Sequence, residues 1–362
     1  MLAIMRGPPP PARGATLNRT SSRFGLPDRQ DDGDWLDARG EVDGAPAPLR
    51  TTVTIERPKT VITRNLSPDI GFDRSINPYR GCEHGCIYCF ARPTHAFHDL
   101  SPGIDFETKL FAKPEAASLL RRELASPGYS PRSIALGTNT DPYQPIEEHR
   151  LITRSILEVL AETRHPLTIT TKSNRVVRDI DILAPMAADR LAAVCISVTS
   201  LTPEIARTLE PRAPHPRRRL AAVRALSDAG IPAYVSISPV VPGITDHEVE
   251  HIVAAAAEAG ARGAFFLPVR LPFEVAPLFR AWLDEHFPDR AGKVMAIIQS
   301  LRGGRDNDPQ FFTRMQGQGP WADLMRTRFA IALRRHGLAG MRLDLRTDLF
   351  RAPERGGQMR LL

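Results

Sequence analysis

The feature that most limits the fold of this chain is a regular alternation of short β-type runs with longer helical ones, between about residues 60 and 275. Strands alternating with helices of this length form βαβ units around a parallel sheet. The predicted strands are 75–77, 133–137, 167–171, 193–198, 233–237 and 263–267. The predicted helices between them are 113–125, 150–164, 178–188, 214–229 and 245–260.

This alternation predicts an α/β fold in three parts. Five or six βα repeats without a dinucleotide-binding fingerprint favour a barrel, complete or incomplete, over a doubly wound sheet, and we place it at residues 56–275. Residues 1–55 are rich in Pro, Gly, Arg and Asp, which predicts a disordered or loosely packed N-terminal segment. Residues 276–362 are predicted to form a mainly helical C-terminal extension, with a late strand at 341–345.

Composition limits the compartment and the partners. The 48 basic and 41 acidic side chains give a net charge of +7, which suits a nucleic-acid or phosphate-bearing partner without requiring one. No apolar run approaches the ~20 residues of a membrane span. The opening residues have a proline run where a signal peptide needs its apolar core. We therefore predict a cytoplasmic protein without a membrane partner.

Three of the four cysteines fall within eight residues, which indicates a metal site rather than a disulfide framework. Cys82, Cys86 and Cys89 have the spacing C-x3-C-x2-C, and thiolates are the soft ligands that iron–sulfur clusters need. Gly81 and Gly85 give the loop the backbone freedom to wrap a cluster. Because three thiolates leave one iron of a cube without a protein ligand, that iron could coordinate a substrate.

The same cysteines are compatible with two other kinds of metal site. A structural zinc site could add His84 or His95 as the fourth ligand, although zinc sites more often pair two short C-x-x-C knuckles. An electron-transfer ferredoxin would need a fourth cysteine. The remaining one, Cys195, lies more than a hundred residues away in a predicted core strand.

This cysteine spacing after a first strand, with the aromatic Tyr88 directly before the last cysteine, resembles the radical SAM superfamily. The resemblance implies a partial (β/α)6 TIM-type barrel and a [4Fe–4S] cluster whose open iron binds S-adenosylmethionine. It also implies reductive cleavage of S-adenosylmethionine to a 5′-deoxyadenosyl radical, which abstracts hydrogen from a substrate. A reducing partner such as flavodoxin or ferredoxin is expected to supply the electron.

A second motif, GTNTDPYQPIE at residues 137–147, resembles the corresponding segment of spore photolyase-like radical SAM proteins. Without that resemblance, Asp141 would be read as part of a capped turn and Lys172 as a surface charge. Lys172 matches a lysine that contacts the S-adenosylmethionine carboxylate in that family. By the same resemblance, the residues expected to contact S-adenosylmethionine are Tyr88, Thr138, Asn139, Asp141, Lys172 and Ser197.

The sequence departs from the repair enzymes at one position that matters for the reaction. They place a hydrogen-donating cysteine just before their counterpart of Asp141, whereas residues 138–140 here contain no thiol. Cys195 lies on another strand and is most simply a small buried side chain. The arginines at 212 and 217–219 are expected on a solvated helix face. The substrate and the catalytic residues stay unassigned, with a spore photolyase-like DNA repair lyase or a non-catalytic, metal-containing nucleic-acid-binding protein as alternatives.

Overall fold

The structure is a computed structural model that describes residues 13–24, 49–340 and 343–354. Its strands are β1 (Thr52–Ile55), β2 (Thr63–Arg64), β3 (Arg74–Ile76), β4 (Tyr79–Arg80), β5 (Lys109–Ala112), β6 (Ile134–Leu136), β7 (Leu167–Thr171), β8 (Ala192–Ser197), β9 (Ala233–Val240) and β10 (Gly263–Pro268). Its helices are α1 (Asp105–Thr108), α2 (Ala116–Leu124), α3 (Glu147–Arg150), α4 (Ile152–Glu162), α5 (Ile180–Ala188), α6 (Pro203–Leu209), α7 (Pro216–Asp228), α8 (Val249–Glu258), α9 (Val275–His286), α10 (Pro288–Ser300), α11 (Thr313–Gln316) and α12 (Pro320–Arg335).

The larger sheet has the strand order β10-β9-β8-β7-β6-β3-β2. All neighbours from β3 to β10 pair in parallel, and β2 adds an antiparallel edge. Each parallel strand is joined to the next through helices, so the sheet curves as a partial (β/α)6 barrel that stays open between β10 and β2. The predicted fold class is confirmed.

Strand β8 shows how the two faces of the sheet differ. Val194, Ile196 and Val198 are fully buried in the core between sheet and helices. Cys195 and Ser197 alternate with them and face the inside of the barrel, because successive side chains of a strand point to opposite sides. The period-two pattern read from the sequence is confirmed.

The predicted strands and helices are found with small shifts at their ends. β7 has the predicted bounds, whereas β9 continues three residues further, to Val240. The helix predicted at 150–164 corresponds to α4, which begins at Ile152 because Leu151, with a left-handed backbone at φ 54°, separates it from the short helix α3. For the late strand predicted at 341–345, residues 341–342 lie outside the described residues and 343–345 are not in a strand.

A second sheet, with the order β1-β5-β4, was not predicted. β1 pairs in parallel with β5, and β4 pairs antiparallel with it, directly before the cysteines. Of the predicted loose segment, residues 1–12 and 25–48 lie outside the described residues. Residues 13–24 pack more closely than expected, and Ala15 is fully buried in the same apolar cluster as Cys86 and Tyr88.

The chain after β10 forms the helices α9 to α12. Trp282 of α9 is fully buried, and its indole N–H donates to the Thr208 carbonyl at 3.0 Å. Phe329 of α12 packs on Phe266 of β10, with ring centroids 4.9 Å apart. No helix in the described part of the chain is long and apolar enough to cross a membrane.

Candidate active site

The cysteine loop leaves β4 and is shaped by two glycines in the left-handed region. Gly81 has φ 72° and Gly85 has φ 67°. A Cβ on Gly81 would lie 2.8 Å from the Phe106 carbonyl oxygen, so a larger residue would displace the main chain there. The Cys82 N–H donates to that same carbonyl at 2.9 Å. These contacts fix the start of the loop as the sequence predicted.

All three loop cysteines are free thiols, of which Cys82 and Cys86 are buried and Cys89 is half-buried. Burial raises the pKa of Cys86 to about 12, against the opposing charge of Lys172. Burial, and then the negative charge of Asp141, also raises the pKa of Cys82, and the main chain of Asp141 opposes this shift only in part. A thiol with a raised pKa still loses its proton when its sulfur binds a metal ion.

The side chains of the cysteine loop are of the type that the implied cluster requires. Three thiols on one glycine-hinged loop are the ligands that an iron–sulfur cluster uses. Among residues 13–24, 49–340 and 343–354, no three His, Cys, Asp or Glu side chains form a group that could hold a metal ion. The residue types and their loop therefore fit a cluster, while the ligation itself remains a proposal.

The 137–147 segment holds the cysteine loop from the barrel side. The Glu83 N–H donates to Gln144 Oε1 at 2.9 Å, and Gln144 Nε2 donates to the Gly81 carbonyl at 3.2 Å. The Ile146 N–H donates to the Glu83 carboxylate at 3.0 Å. Since Gln144 is fully buried, these bonds are shielded from water. The segment is thus more than a capped turn, because it brackets the residues on both sides of Cys82.

Asp141 connects this segment to β7 and to the cysteine loop. Its carboxylate accepts hydrogen bonds from Thr171 Oγ1 at 2.6 Å and from the Lys172 N–H at 2.7 Å, and it lies 3.3 Å from His84 Nδ1. His84 Nδ1 lies within ion-pair distance of the carboxylate, but the geometry does not make a hydrogen bond. Burial alone would raise the pKa of Asp141, but the His84 charge and these hydrogen bonds lower it to about 2. Both carboxylate oxygens are therefore occupied by protein groups.

Thr138 and Asn139 lie at the end of β6, against Asn77. Asn77 Nδ2 donates to Thr138 Oγ1 at 3.1 Å, and the Asn139 N–H donates to Asn77 Oδ1 at 2.9 Å. Thr138 is half-buried and the Asn139 residue is exposed. Asn77 therefore holds the turn through the Thr138 hydroxyl and the Asn139 N–H, which leaves the Asn139 side chain available for a ligand.

Lys172 and Tyr88 lie next to each other on the barrel side of the cysteine loop. Lys172 Nζ is 5.7 Å from the centroid of the Tyr88 ring. Desolvation alone would lower the pKa of Lys172, but the nearby Cys86 and Glu210 raise it above its ordinary value. The lysine is therefore a cation, and the structure corrects the alternative reading of a surface charge.

Ser197 and Cys195 occupy successive layers inside the barrel. Thr171 pairs with Ile196, which places Lys172 level with Ser197 at the carboxyl ends of the strands. Cys195 lies one layer deeper, opposite Tyr234 of β9. Desolvation raises the pKa of Cys195 to about 12, against the opposing charge of Lys172. Both side chains thus face the space that Lys172 also borders.

Glu210 is a buried group that the sequence reading did not single out. Tyr88 donates a hydrogen bond to its carboxylate, Thr199 Oγ1 donates at 2.8 Å, and Arg219 forms an ion pair with it. Burial alone would raise the pKa of Glu210, but Arg219 and Lys172 lower it below its ordinary value. The network fixes the ring of Tyr88.

The expectation that the arginines of this region lie on a solvated face is wrong for two of them. Arg219 is buried against Glu210, and Arg212 is half-buried and reaches Glu83 at 3.1 Å. Arg217 and Arg218 are exposed as expected. Glu83, the partner of Arg212, is more than a hundred residues away, and Glu210, the partner of Arg219, lies before helix α7, so the periodicity of that helix reveals neither ion pair.

Arg92 and Glu107 form a second fully buried ion pair that the sequence reading missed. Arg92 Nη2 lies 2.6 Å from the Glu107 carboxylate, and the guanidinium also donates to the Cys86 carbonyl at 2.9 Å. The N–H groups of Gly14 and Ala15 each donate to Glu107 at 2.9 Å. The pair therefore joins the cysteine loop to the N-terminal strap, the name used here for residues 13–24.

The sequence profile of the radical SAM superfamily matches residues 76–256, half of the chain. An uncharacterized protein of Mycobacterium tuberculosis is 36% identical over 230 residues, which cover 63% of this chain and 68% of the relative. The chain belongs to the radical SAM superfamily. The matched residues of this superfamily member begin in β3 and end in α8, so they include the cysteine loop and most of the barrel.

Two further comparisons extend this result. An uncharacterized protein of Methanocaldococcus jannaschii is 26% identical over 214 residues, which cover 59% of this chain and 76% of the relative. A structure of a spore photoproduct lyase variant covers 79% of this chain and 80% of its own, with a TM-score of 0.55 and 13% identity. At this identity the likeness concerns the fold alone. It agrees with the spore photolyase-like architecture expected from the sequence.

Proposed function

We propose that this protein is a radical SAM enzyme in which Cys82, Cys86 and Cys89 ligate a [4Fe–4S] cluster with one open iron. When bound, the cluster supplies the electron that cleaves S-adenosylmethionine into methionine and a 5′-deoxyadenosyl radical, which takes a hydrogen atom from the substrate. A reducing protein such as flavodoxin or ferredoxin is the proposed electron source, in the reducing cytoplasm. The single observation that supports this most is the glycine-hinged loop of three free thiols, of which Cys86 lies within the influence of the Lys172 charge.

The residues proposed to form the S-adenosylmethionine site differ in what each of them binds. Lys172 is a cation beside Tyr88, so we assign it to the carboxylate of S-adenosylmethionine. Thr138, Asn139 and Ser197 are the other polar residues that we assign to contacts with S-adenosylmethionine. Asp141 is already bonded to Thr171, Lys172 and His84, and we assign it the positioning of the Lys172 main chain.

Photoproduct repair is not favoured as the specific reaction. The residues before Asp141 contain no thiol, and Thr138 Oγ1 and Asn139 N are bonded to Asn77. Incubation of the reconstituted enzyme with the spore photoproduct dinucleotide should yield no thymine. Formation of thymine would contradict this argument and restore the repair lyase as the assignment.

The test of the proposed function is anaerobic reconstitution with iron and sulfide, followed by assay of 5′-deoxyadenosine under dithionite. The expected result is a brown protein holding about four iron atoms that forms 5′-deoxyadenosine. Cys86→Ala should lose the iron and the product together, whereas Cys195→Ala should retain the full iron content. A colourless protein with one tightly held zinc would contradict the proposal, and iron loss in Cys195→Ala would identify a fourth ligand.

A further inference from the structure

The partial barrel is open between β10 and β2, and the chain after α10 crosses this opening. On one edge, Arg302 Nη2 donates to the carbonyl of Val269, directly after β10, at 3.0 Å. On the other edge, Arg314 forms a two-pronged ion pair with Asp69, in the β2–β3 connection, at 2.6 and 2.7 Å. Residues 302–314 therefore join the two edges and border the side entrance of the barrel.

Arg270 stands at this entrance with donors that the protein does not satisfy. Its Nε is buried and has no hydrogen-bond partner, and its Nη1 contacts the thioether of Met315 at 3.0 Å. A thioether is a weak acceptor. In the part of the chain that the structure describes, no carboxylate forms an ion pair with Arg270. Burial, and then the charge of Arg314, lowers the pKa of Arg270, and the more distant Asp69 carboxylate opposes this shift only in part.

The neighbouring charges do not neutralise this cation. Arg302 is buried and donates to three main-chain carbonyls, although its own Nε is also without a partner. Arg314 uses the carboxylate of Asp69. Asp308 accepts from Thr313 Oγ1 at 2.7 Å. Three guanidinium groups thus face two carboxylates that are both occupied, which leaves a positive site at the entrance.

Two exposed aromatic rings flank this positive site. Phe311 and Phe312 are 49% and 59% exposed, and Arg314 stacks over the Phe311 ring at 4.7 Å. Phe312 has φ 66° and ψ −56°, and the Thr313 N–H donates to the Phe311 carbonyl at 2.9 Å. This is the strained form of γ-turn, which is rare for a bulky residue. The Asp69 carboxylate holds it by accepting the Phe312 N–H at 3.0 Å.

We propose that Arg270 and Phe312 form a nucleotide subsite at the open edge of the barrel. The guanidinium binds a phosphate, whose oxygens replace the Met315 thioether as acceptor, and the Phe312 ring stacks on the base. The net charge of +7 agrees with such a partner. The inference rests on the proposed function, because it names the substrate class for the radical formed inside the barrel.

The test is binding of a fluorescent oligothymidylate of about ten nucleotides to the full-length protein without cluster, followed by anisotropy. Arg270→Ala should weaken binding about tenfold or more. The slope of log affinity against log salt should fall by about one. Arg217→Ala removes the same charge from an exposed position on α7 and should change the affinity less than twofold. Equal affinity for wild type and Arg270→Ala, or equal losses in both variants, would overturn the proposal.

Two further arms separate folding from binding and the possible phosphate sources. Phe312→Gly suits the left-handed backbone but lacks the ring, so it should fold normally and still bind at least fivefold more weakly. Thymidine monophosphate should displace the probe, whereas thymidine should not. If the monophosphate displaces the probe as efficiently as unlabelled oligothymidylate at the same concentration, the natural ligand is a free nucleotide rather than a polymer. Displacement by thymidine as efficiently as by the monophosphate would overturn the phosphate contact. Because the apo protein is used, failure of S-adenosylmethionine cleavage would refute only the proposed function.

Discussion

Gln144 accepts the main-chain N–H of Glu83 at 2.9 Å, and this bond attaches the loop after β6 to the residue that follows Cys82. The same side chain donates to the Gly81 carbonyl, so one buried amide brackets the first proposed cluster ligand. The two residues are 61 positions apart in the chain. The bond explains how a segment remote from the cysteines fixes their conformation.

Replacing this amide should loosen the cysteine loop. Gln144→Ala leaves two buried main-chain groups without partners, which should cost about 1–3 kcal/mol of unfolding free energy. Urea unfolding of the apo protein measures the loss, and the iron content after reconstitution should fall in parallel. Gln318→Ala, at an exposed position, is the matched control and should lie within about 0.5 kcal/mol of wild type. Equal stability of both variants would show that the bracket is not needed.

The buried pair of Arg92 and Glu107 should matter far more than an exposed pair of the same type. Arg92→Met leaves the Glu107 carboxylate buried and unpaired, which should cost about 3–5 kcal/mol. Glu162→Gln, which breaks the exposed pair of Glu162 with Arg121, should cost less than about 1 kcal/mol. Urea unfolding compares the two, and faster tryptic cleavage within the N-terminal strap should accompany only the first. Similar costs for both variants would contradict this account.

Lys172 is expected to act on S-adenosylmethionine rather than on the cluster. Lys172→Met should weaken S-adenosylmethionine binding about tenfold or more, since a buried charge-assisted contact is lost. The iron content of the reconstituted variant should equal that of wild type. Lys59→Met, at an exposed position, is the control and should bind normally. Equilibrium binding by calorimetry is the measurement, and an unchanged dissociation constant in Lys172→Met would remove this residue from the site.

His165 should make stability depend on pH at a place remote from the site. It is fully buried, its Nδ1 lies 2.9 Å from the Pro166 carbonyl, and its Nε2 lies 2.8 Å from the Tyr129 hydroxyl. Burial lowers the pKa of His165 to about 4, against a hydrogen bond to Pro166 that raises it. Because the unfolded chain binds a proton near pH 6.5 and the folded chain does not, stability falls as the pH drops from about 6.5 towards 4.

The size of this effect follows from the same pKa difference. Between pH 7 and pH 5 the His165 contribution should amount to about 2 kcal/mol of lost unfolding free energy. Urea unfolding at the two pH values measures it in wild type and in His165→Gln. The variant should show a pH dependence smaller by about that amount. An identical pH dependence in both proteins would mean that His165 is protonated equally in the folded and unfolded states.

Local sequence patterns were sufficient to predict the strands and helices of the barrel. Residues 167–171 combine β-branched side chains with period-two alternation, and β7 has the bounds that this pattern predicts. The sheet of β1, β5 and β4 could not be foreseen in this way. β1 pairs Thr52 with Lys109 and exposes most of its side chains, so it has no alternating apolar pattern. Its register depends on a partner that is distant in sequence.

The same distinction applies to the site. The spacing of Cys82, Cys86 and Cys89 is a local pattern, which is why it was found in the sequence. Arg92 and Glu210 look like ordinary charged residues in the sequence, because no local pattern shows that Glu107 and Arg219 are buried against them as ion-pair partners. Lys172 was found only through resemblance to a family. What the structure adds is the contacts that hold these groups in place.

The measurement that tests the central claim most directly is electron paramagnetic resonance of the reconstituted, dithionite-reduced protein, with and without S-adenosylmethionine. If the three loop cysteines hold a [4Fe–4S] cluster with one open iron, the reduced protein should give a cluster signal whose shape and g values change when S-adenosylmethionine is added. An unchanged signal from fully loaded protein would mean that the cluster has no open iron for S-adenosylmethionine and would contradict the account.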